Sequence, residues 1–273
     1  MIDFKDLIKA GLHFGHQTAK WNPKMARFIW GHRNGIHLVD VSKTANQLEQ
    51  AARFLESVAA NGSQILFVGT KKPAQQVIES TAKLLKMPYV SDRWIGGTLT
   101  NYPQVKKSVT KLLHFEDVLT RSASFHYTKK ELSVFQKMGT RLQDNVGGIR
   151  ALTWPVGALV LIDVKKELTA LKEAVTANVP VVALVDTNCD PSMVDYIIPG
   201  NDDSPKSISF VLDYLAQAVQ RGLVNAVQKT KKEDAPVEET LTVRLVGEFD
   251  GGGEDQKNAS RRAPRGNRRP PVK

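Results

Sequence analysis

The chain has 273 residues, of which 41% are hydrophobic, and it carries 38 Lys and Arg against 28 Asp and Glu, a formal net charge of +10. This composition supports a packed core and favours a polyanionic partner, because clustered cations gain from displacing the counterions around phosphates. No window approaches about 20 consecutive apolar residues, which argues against a membrane partner, and the single Cys189 excludes an intramolecular disulfide or a thiolate cluster for zinc.

The N-terminal half alternates strand and helix signals. Its first residues, MIDFKDLIKAGLHF, have neither a signal peptide's apolar core nor a transit peptide's composition, so we expect a cytoplasmic protein. Continuous apolar runs, typical of strands buried on both faces of a sheet, predict strands at 36–41 and 64–69, with a weaker one near 87–91. Helical spacing predicts helices over Ser42–Ala60 and Pro73–Leu85.

Residues 103–146 interrupt this alternation. Apolar residues recur there at helical spacing on both sides of a polar turn, TRSASFHY. Thr128 and Glu131 form a capping-box pattern at the start of the second run, so we predict an inserted hairpin of two antiparallel helices. Lys and Arg line both helices, a pattern equally typical of a solvated outer face and of an arm that contacts RNA or protein.

The C-terminal half returns to alternating signals. Strands are predicted at 158–164, 179–186 and 195–200, and helices over Lys165–Ala177 and Pro205–Gln220, with Gly222 just past the last helix. Alternation of this kind predicts a doubly wound α/β fold with a parallel sheet flanked by helices.

The domain organisation follows from these elements. We predict an α/β sheet domain at 1–102 and 147–228, the inserted helical hairpin at 103–146, and a charged, largely disordered tail at 229–273. The tail holds eleven basic and eight acidic residues, which leaves +7 of the net charge on the body. The tail segment TLTVRLVGEF alternates as a strand does, and it fits a strand added to a sheet edge as well as locally apolar disorder.

Motifs for nucleotide binding and nucleophilic catalysis are missing from the sequence. The turn after 64–69 has one glycine, Gly69, before Lys71 and Lys72, and it matches neither the dinucleotide fingerprint nor the P-loop. There is no G-x-S-x-G elbow and no histidine in a recognisable base position. We therefore predict no catalytic residues and no required cofactor. A single RNA phosphate suits the two lysines better than a pyrophosphate, with solvated lysines as the alternative.

Aspartates follow the strands at 179–186 and 195–200, at the sheet edge where open parallel sheets hold ligands. Asp186, Asp202 and Asp203, with His16 as a nitrogen ligand, have the residue types of a structural divalent metal site. The alternative is that these side chains fix turns through hydrogen bonds to the backbone.

Five dense motifs resemble one known family. They are HFGHQTAKWNPKM at 13–25, RNGIHLVDVSKT at 33–44, FVGTKK at 67–72, RWIGGTLTN at 93–101, and VDTNCDP with IPGNDD at 185–203. Their content and order closely resemble bacterial small-subunit ribosomal protein two, over about residues 2–222. The Arg-rich tail departs from the short acidic tails typical of that family.

The resemblance implies a flavodoxin-like parallel sheet with a protruding helical hairpin, bound to small-subunit rRNA and needed for ribosomal protein one to dock. It implies other small-subunit proteins as further partners, no small-molecule substrate, and a ribosome-bound location in a bacterium or, for an organelle-encoded chain, in an organelle.

Cations are candidates for phosphate contacts, and aromatic side chains beside them for stacking on unpaired bases. Trp21 and Trp94 both adjoin basic residues, with core packing as the alternative. The candidate rRNA-contacting residues are Lys20, Trp21, Lys24, Arg27, Arg33, Lys71, Lys72, Arg93, Lys106, Lys107 and Lys111. Two other classes stay open at this point: a Rossmann-like enzyme acting on a small phosphorylated substrate, and a protein-binding scaffold with no RNA requirement.

Overall fold

A small antiparallel sheet forms near the N-terminus. The computed structural model describes residues 2–121 and 127–233, with side chains through residue 226. Helix α1 (Phe4–Lys9) precedes strands β1 (Phe14–Gln17), β2 (Ile29–Arg33) and β3 (Ile36–Val39), which pair antiparallel in the order β1-β3-β2. The assignment of the 36–41 run to the parallel sheet is therefore wrong. Only the last residue of β3 is buried, so this strand lies at the surface of the molecule.

The main sheet has five parallel strands in the order β5-β4-β6-β7-β8. They are β4 (Gln64–Val68), β5 (Tyr89–Val90), β6 (Val156–Ile162), β7 (Val181–Val185) and β8 (Tyr196–Pro199). The helices are α2 (Val41–Ala60), α3 (Lys72–Leu85), α4 (Tyr102–Thr120), α5 (Lys129–Val146), α6 (Leu168–Thr176) and α7 (Pro205–Glu233). When the five parallel strands are numbered 1 to 5 along the chain, their order across the sheet is 2-1-3-4-5. This is the flavodoxin-like order, and it confirms the predicted fold class.

The strands are buried on both faces, as their continuous apolar runs predict. In β4, Ile65 and Phe67 point into one core, shared with α2, α3 and α7. Leu66 and Val68 point into the other core, which α6 and the base of the hairpin complete. Alternate residues of each central strand thus supply opposite cores, and the sheet is the middle of three layers.

Helices α4 and α5 form the inserted hairpin. Thr128 and Glu131 make the predicted capping box, with each side chain bonded to the other residue's backbone. Phe115 and Phe135 stack across the two helices with ring centroids 5.8 Å apart. The predicted turn between the helices lies largely outside the described residues.

Helix α7 extends thirteen residues beyond its predicted end at Gln220, to Glu233. Gly222 does not terminate it. A Cβ on Gly222 would lie 2.4 Å from the carbonyl oxygen of Glu56 and 2.8 Å from Cβ of Ala59, so the glycine allows α7 to pack closely on α2. The first residues of the predicted tail are therefore helical. The remainder, 234–273, including TLTVRLVGEF, lies outside the described residues.

Candidate nucleic-acid interface

The loops after all five parallel strands meet at one edge of the main sheet, its carboxyl edge. The segment at 13–28 is fixed against this edge by the loop after β7. The amide of Asn22 donates to the carbonyl of Thr187 at 2.8 Å, and the amide of His16 donates to Oγ1 of Thr187 at 2.9 Å. A Cβ on Gly15 would lie 2.7 Å from Cγ2 of Thr187, so this close approach requires a glycine.

The crevice between β4 and β6 is the point where flavodoxin-like sheets bind their cofactors, because strand order reverses there. In this protein its own side chains fill the crevice. Glu167 is buried and accepts hydrogen bonds from both the amide and the hydroxyl of Thr70, at 2.9 and 2.6 Å. Lys166 donates to the Thr70 carbonyl at 2.7 Å. The loop after β4 is therefore committed to protein contacts and does not wrap a phosphate.

An acidic cluster occupies the interior of the carboxyl edge. It consists of Asp163, Asp186, Asp202 and Asp203 together with His16 and Lys71. The Lys71 ammonium lies 2.7 Å from Asp202, 2.5 Å from Asp203 and 3.5 Å from Asp163. Burial opposes the charge on Lys71, but the hydrogen bonds to Asp202 and Asp203 outweigh this effect and raise the pKa of Lys71 above its ordinary value. Because its charge is engaged inside the protein, we leave Lys71 out of the phosphate-contacting set.

His16, Asp186, Asp202 and Asp203 each offer a ligand atom, and these atoms lie within 4.8 Å of one another. Nδ1 of His16 is 2.9 Å from Oδ2 of Asp186, yet the pair lacks the angles of a hydrogen bond. Both atoms are buried, and so is Oδ2 of Asp202; none of the three has a hydrogen-bond partner among the described residues. Two ligands of one metal ion stand roughly 3 Å apart at bond lengths near 2.1 Å, so this spacing suits a metal site.

Electrostatics favours a cation at the same place. The cluster holds four carboxylates and one lysine, which lies within 3.5 Å of three of them, so the acidic groups outnumber the lysine. Burial first, and then the charges of Asp186 and Asp163, raise the pKa of Asp202 to about 7. The approach of Asp186 raises the pKa of His16. Neighbouring carboxylates contribute to both shifts, and a divalent ion bound here would offset their negative charge.

The candidate cations outside the acidic cluster lie on the protein surface. All the candidate rRNA-contacting residues except Lys71 are exposed. Lys24 is paired with Asp190 at 2.7 Å, and this bond lowers the pKa of Asp190 to about 2. Within the described part of the chain, four of the candidate cations at the carboxyl edge and its adjoining segments form neither an ion pair nor a ring contact. We call them the basic rim: Lys20, Arg33, Lys72 and Arg93.

The two tryptophans proposed for base stacking differ. Trp21 is 39% exposed, and its ring lies 5.3 Å from that of His37, so one face of the indole borders solvent. Trp94 is 8% exposed and donates its indole N–H to Glu173 at 3.0 Å. For Trp94 the core-packing alternative fits. The sequence motifs did not indicate Glu173 or Glu167 as site residues. Glu167 follows β6 at the carboxyl edge, and this position is the signal that could have indicated it.

A second surface feature is apolar and lies on the small antiparallel sheet. The register of β2 against β3 slips between Ile29 and Gly31, which leaves Trp30 as the extra residue of a bulge. Trp30 is 76% exposed and, with Ile8, His13 and Leu38, lines a cavity of about 330 Å³. The exposed indole and the apolar side chains that line this cavity form an exposed apolar surface, the Trp30 patch.

The fold and the carboxyl edge define a class: flavodoxin-like proteins whose cofactor crevice is closed by their own side chains and whose exposed surface is basic. The sequence profile of the family described as Ribosomal protein S2 matches residues 7–222. The chain therefore belongs to the ribosomal protein S2 family. This family is structural and non-enzymatic, which sets aside the alternative of a Rossmann-like enzyme.

Curated relatives agree with this assignment. A protein of Cytophaga hutchinsonii named small ribosomal subunit protein uS2 is 45% identical over 240 residues, covering 87% of this chain and 93% of the relative. Relatives of the same name from Arthrobacter and Thermobifida fusca are 43% and 41% identical, covering 87% and 95% of this chain and 82% and 91% of their own lengths. Among the described residues, no helix is both long and apolar enough to cross a membrane.

Proposed function

We propose that this chain is a structural constituent of the small ribosomal subunit and binds small-subunit rRNA through the basic rim. The observation that carries the proposal is that the four cations of the basic rim are exposed and, among the described residues, form no ion pair. Such cations can exchange their counterions for phosphates without first breaking an internal salt bridge. The bacterial relatives support a ribosome-bound location in the cytoplasm of a bacterium or in an organelle.

The hairpin extends this surface. Lys106, Lys107 and Lys111 are exposed on α4, close to where the hairpin leaves the sheet domain, and they enter no ion pair within the described residues. Trp21 adds an exposed ring that can stack on an unpaired base. RNA contact through these groups would combine sequence-independent phosphate binding with one stacking position.

The test is rRNA-fragment binding between 50 and 200 mM salt with the four rim cations replaced by alanine. Each lost phosphate contact lowers the slope of log affinity against log salt by about 0.7 to 0.9, so we expect a decrease of about three. The matched control removes the same charge from cations already paired with acidic neighbours: Lys9, Arg53, Lys83 and Arg121. A flat salt response in the unaltered protein, or an equal effect of both sets, would refute the proposal.

We further propose that the Trp30 patch docks ribosomal protein one. An indole that is 76% exposed beside an apolar cavity is costly to leave in water and suits an aromatic or aliphatic anchor from a protein partner. Trp30→Ala should weaken capture of ribosomal protein one at least tenfold and leave rRNA binding unchanged. Leu84→Ala, on an exposed apolar residue of α3, is the control. Equal binding by both variants would contradict this assignment.

The acidic cluster is proposed as a structural divalent metal site, with His16, Asp186, Asp202 and Asp203 as ligands. A bound ion would neutralise the cluster and join the N-terminal segment to the loops after β7 and β8. Zinc or manganese should raise the melting temperature of the purified protein, and a chelator should reverse the rise. Asp202→Asn should abolish this response, while Asp117→Asn, on an exposed aspartate of α4, should retain it. A melting temperature that neither zinc nor manganese changes would exclude the metal site.

A further inference from the structure

One carboxylate organises the whole loop after β5. Oε1 of Glu173 on α6 accepts hydrogen bonds from the indole N–H of Trp94 at 3.0 Å and from the amide of Gly97 at 2.8 Å. Oε2 accepts from the amide of Leu99 at 3.1 Å. Gly97 has φ of +91°, a conformation that allows the loop to turn back over the carboxylate. Three donors spread over six residues thus converge on a single side chain.

A second carboxylate holds the neighbouring loop in the same way. Glu167, the residue before α6, binds the amide and hydroxyl of Thr70, and the adjacent Lys166 binds its carbonyl. All three polar groups of Thr70 are therefore bonded to the residues that lead into α6. The loop after β5 is bonded to α6 and the loop after β4 to the two residues that precede α6, although 76 and 97 residues separate the bonded partners.

Each fixed residue lies beside an exposed cation of the basic rim. Arg93 precedes Trp94 directly, and Lys72 follows Thr70 by two residues. Neither cation enters an ion pair among the described residues, so the protein fixes the backbone beneath each cation and leaves the charge available. Fixed backbones reduce the ordering that a charged loop would otherwise undergo on binding a polyanion.

We propose that Glu173 and Glu167 are positioning residues for RNA binding, and that α6 sets the spacing between the phosphate contacts of Lys72 and Arg93. This inference rests on the proposed rRNA-binding function. The change in RNA affinity that it predicts on removal of Glu173 is opposite to the change that simple electrostatics predicts. A carboxylate near a polyanion repels it, so removal of Glu173 would tighten binding if charge alone mattered. Removal weakens binding if Glu173 acts by holding the loop of Arg93.

The experiment measures affinity for a small-subunit rRNA fragment and its salt dependence, using the full chain. Glu173→Ala should weaken binding about three- to tenfold and lower the salt slope by about 0.7 to 0.9, as Arg93→Ala should. Glu173→Gln keeps an oxygen acceptor for Trp94 and Gly97 but presents a donor to Leu99. Its affinity should therefore fall between those of the unaltered protein and Glu173→Ala. Glu49→Ala, on a half-exposed glutamate of α2, removes the same charge and should not weaken binding.

A double-mutant cycle separates positioning from general destabilisation. If Glu173 acts through the Arg93 loop, Glu173→Ala should have little further effect in an Arg93→Ala background. An equal effect in both backgrounds, tighter binding by Glu173→Ala, or no effect of Arg93→Ala would each overturn the inference. If Glu173→Ala does not fold, the same cycle with Glu173→Gln distinguishes positioning from general destabilisation. Absence of salt-dependent binding by the unaltered protein would instead refute the rRNA-binding function itself.

Discussion

The acidic cluster and the basic rim lie at the same edge of the sheet, yet they use their charges in opposite ways. Inside the cluster, Lys71 has three carboxylates within 3.5 Å and only a small exposed area. On the rim, the next residue, Lys72, is exposed and forms no ion pair within the described residues. Lys71, which precedes α3, thus turns inward to the carboxylates, whereas Lys72, the first residue of α3, turns outward to solvent.

The largest expected effect concerns Cys189, which belongs to the interior. Its Sγ lies 3.8 Å from Asp163, and burial, followed by the charge of Asp163, raises the pKa of the Cys189 thiol to about 12. Against an ordinary thiol, this leaves roughly a thousandfold less thiolate at neutral pH. Alkylation by iodoacetamide at pH 8 should therefore be about a thousandfold slower in the folded protein than in urea. Comparable rates would mean that the interior of the edge opens readily to solvent.

The second effect separates the two adjacent lysines. Lys71→Ala removes the counterion of buried carboxylates and should lower the free energy of unfolding by about 3 kcal/mol. Lys72→Ala, which breaks no side-chain hydrogen bond or ion pair among the described residues, should change it by less than about 0.5 kcal/mol. Urea denaturation of both variants measures the difference. Similar losses would erase the distinction between cluster and rim on which the proposed interface depends.

Much of this architecture could be predicted from sequence, because it depends on local patterns. Continuous apolar runs gave the buried strands, and the Thr128 and Glu131 pair gave the start of α5. The small sheet was missed because β1 and β2 are short, irregular in register and largely exposed, so they have no strong period. Gly222 carried the signal of a helix end, but its role is a tertiary contact with α2 that no local pattern encodes.

The candidate site was predictable in composition but not in detail. Aspartates at the ends of β7 and β8 indicated the acidic cluster, since parallel strands end at one edge. The direction of each lysine was not encoded locally, because Lys71 turns inward only when Asp163 and Asp202 have been brought beside it. Glu173 could not be assigned a role either, since its partners lie 74 to 79 residues away in the chain.

The third prediction tests how the N-terminal segment, which carries Lys20, is held to the interior. Gly15→Ala would place a Cβ 2.7 Å from Thr187 and should lower the free energy of unfolding by about 1 to 2 kcal/mol. Thermal unfolding measures this cost. Gly31→Ala is the matched control, because a Cβ there meets nothing within 4 Å. If both substitutions cost the same, the segment is not held by close packing against the loop after β7.

The smallest effect bears directly on the rim. Lys72 and Lys86 are exposed cations at opposite ends of α3, so Lys72→Gln and Lys86→Gln remove equal charge from one helix. Long-range attraction for a polyanion falls by a similar amount in both variants, whereas a phosphate contact can be lost only at the carboxyl edge. Lys72→Gln should therefore weaken rRNA-fragment binding about three- to tenfold and reduce the salt slope by about 0.7 to 0.9. Lys86→Gln should leave the slope nearly unchanged, because charge at that end adds to the general field and binds no phosphate. Equal slopes for the two variants would show that the net charge of the body, rather than the rim, attracts the RNA.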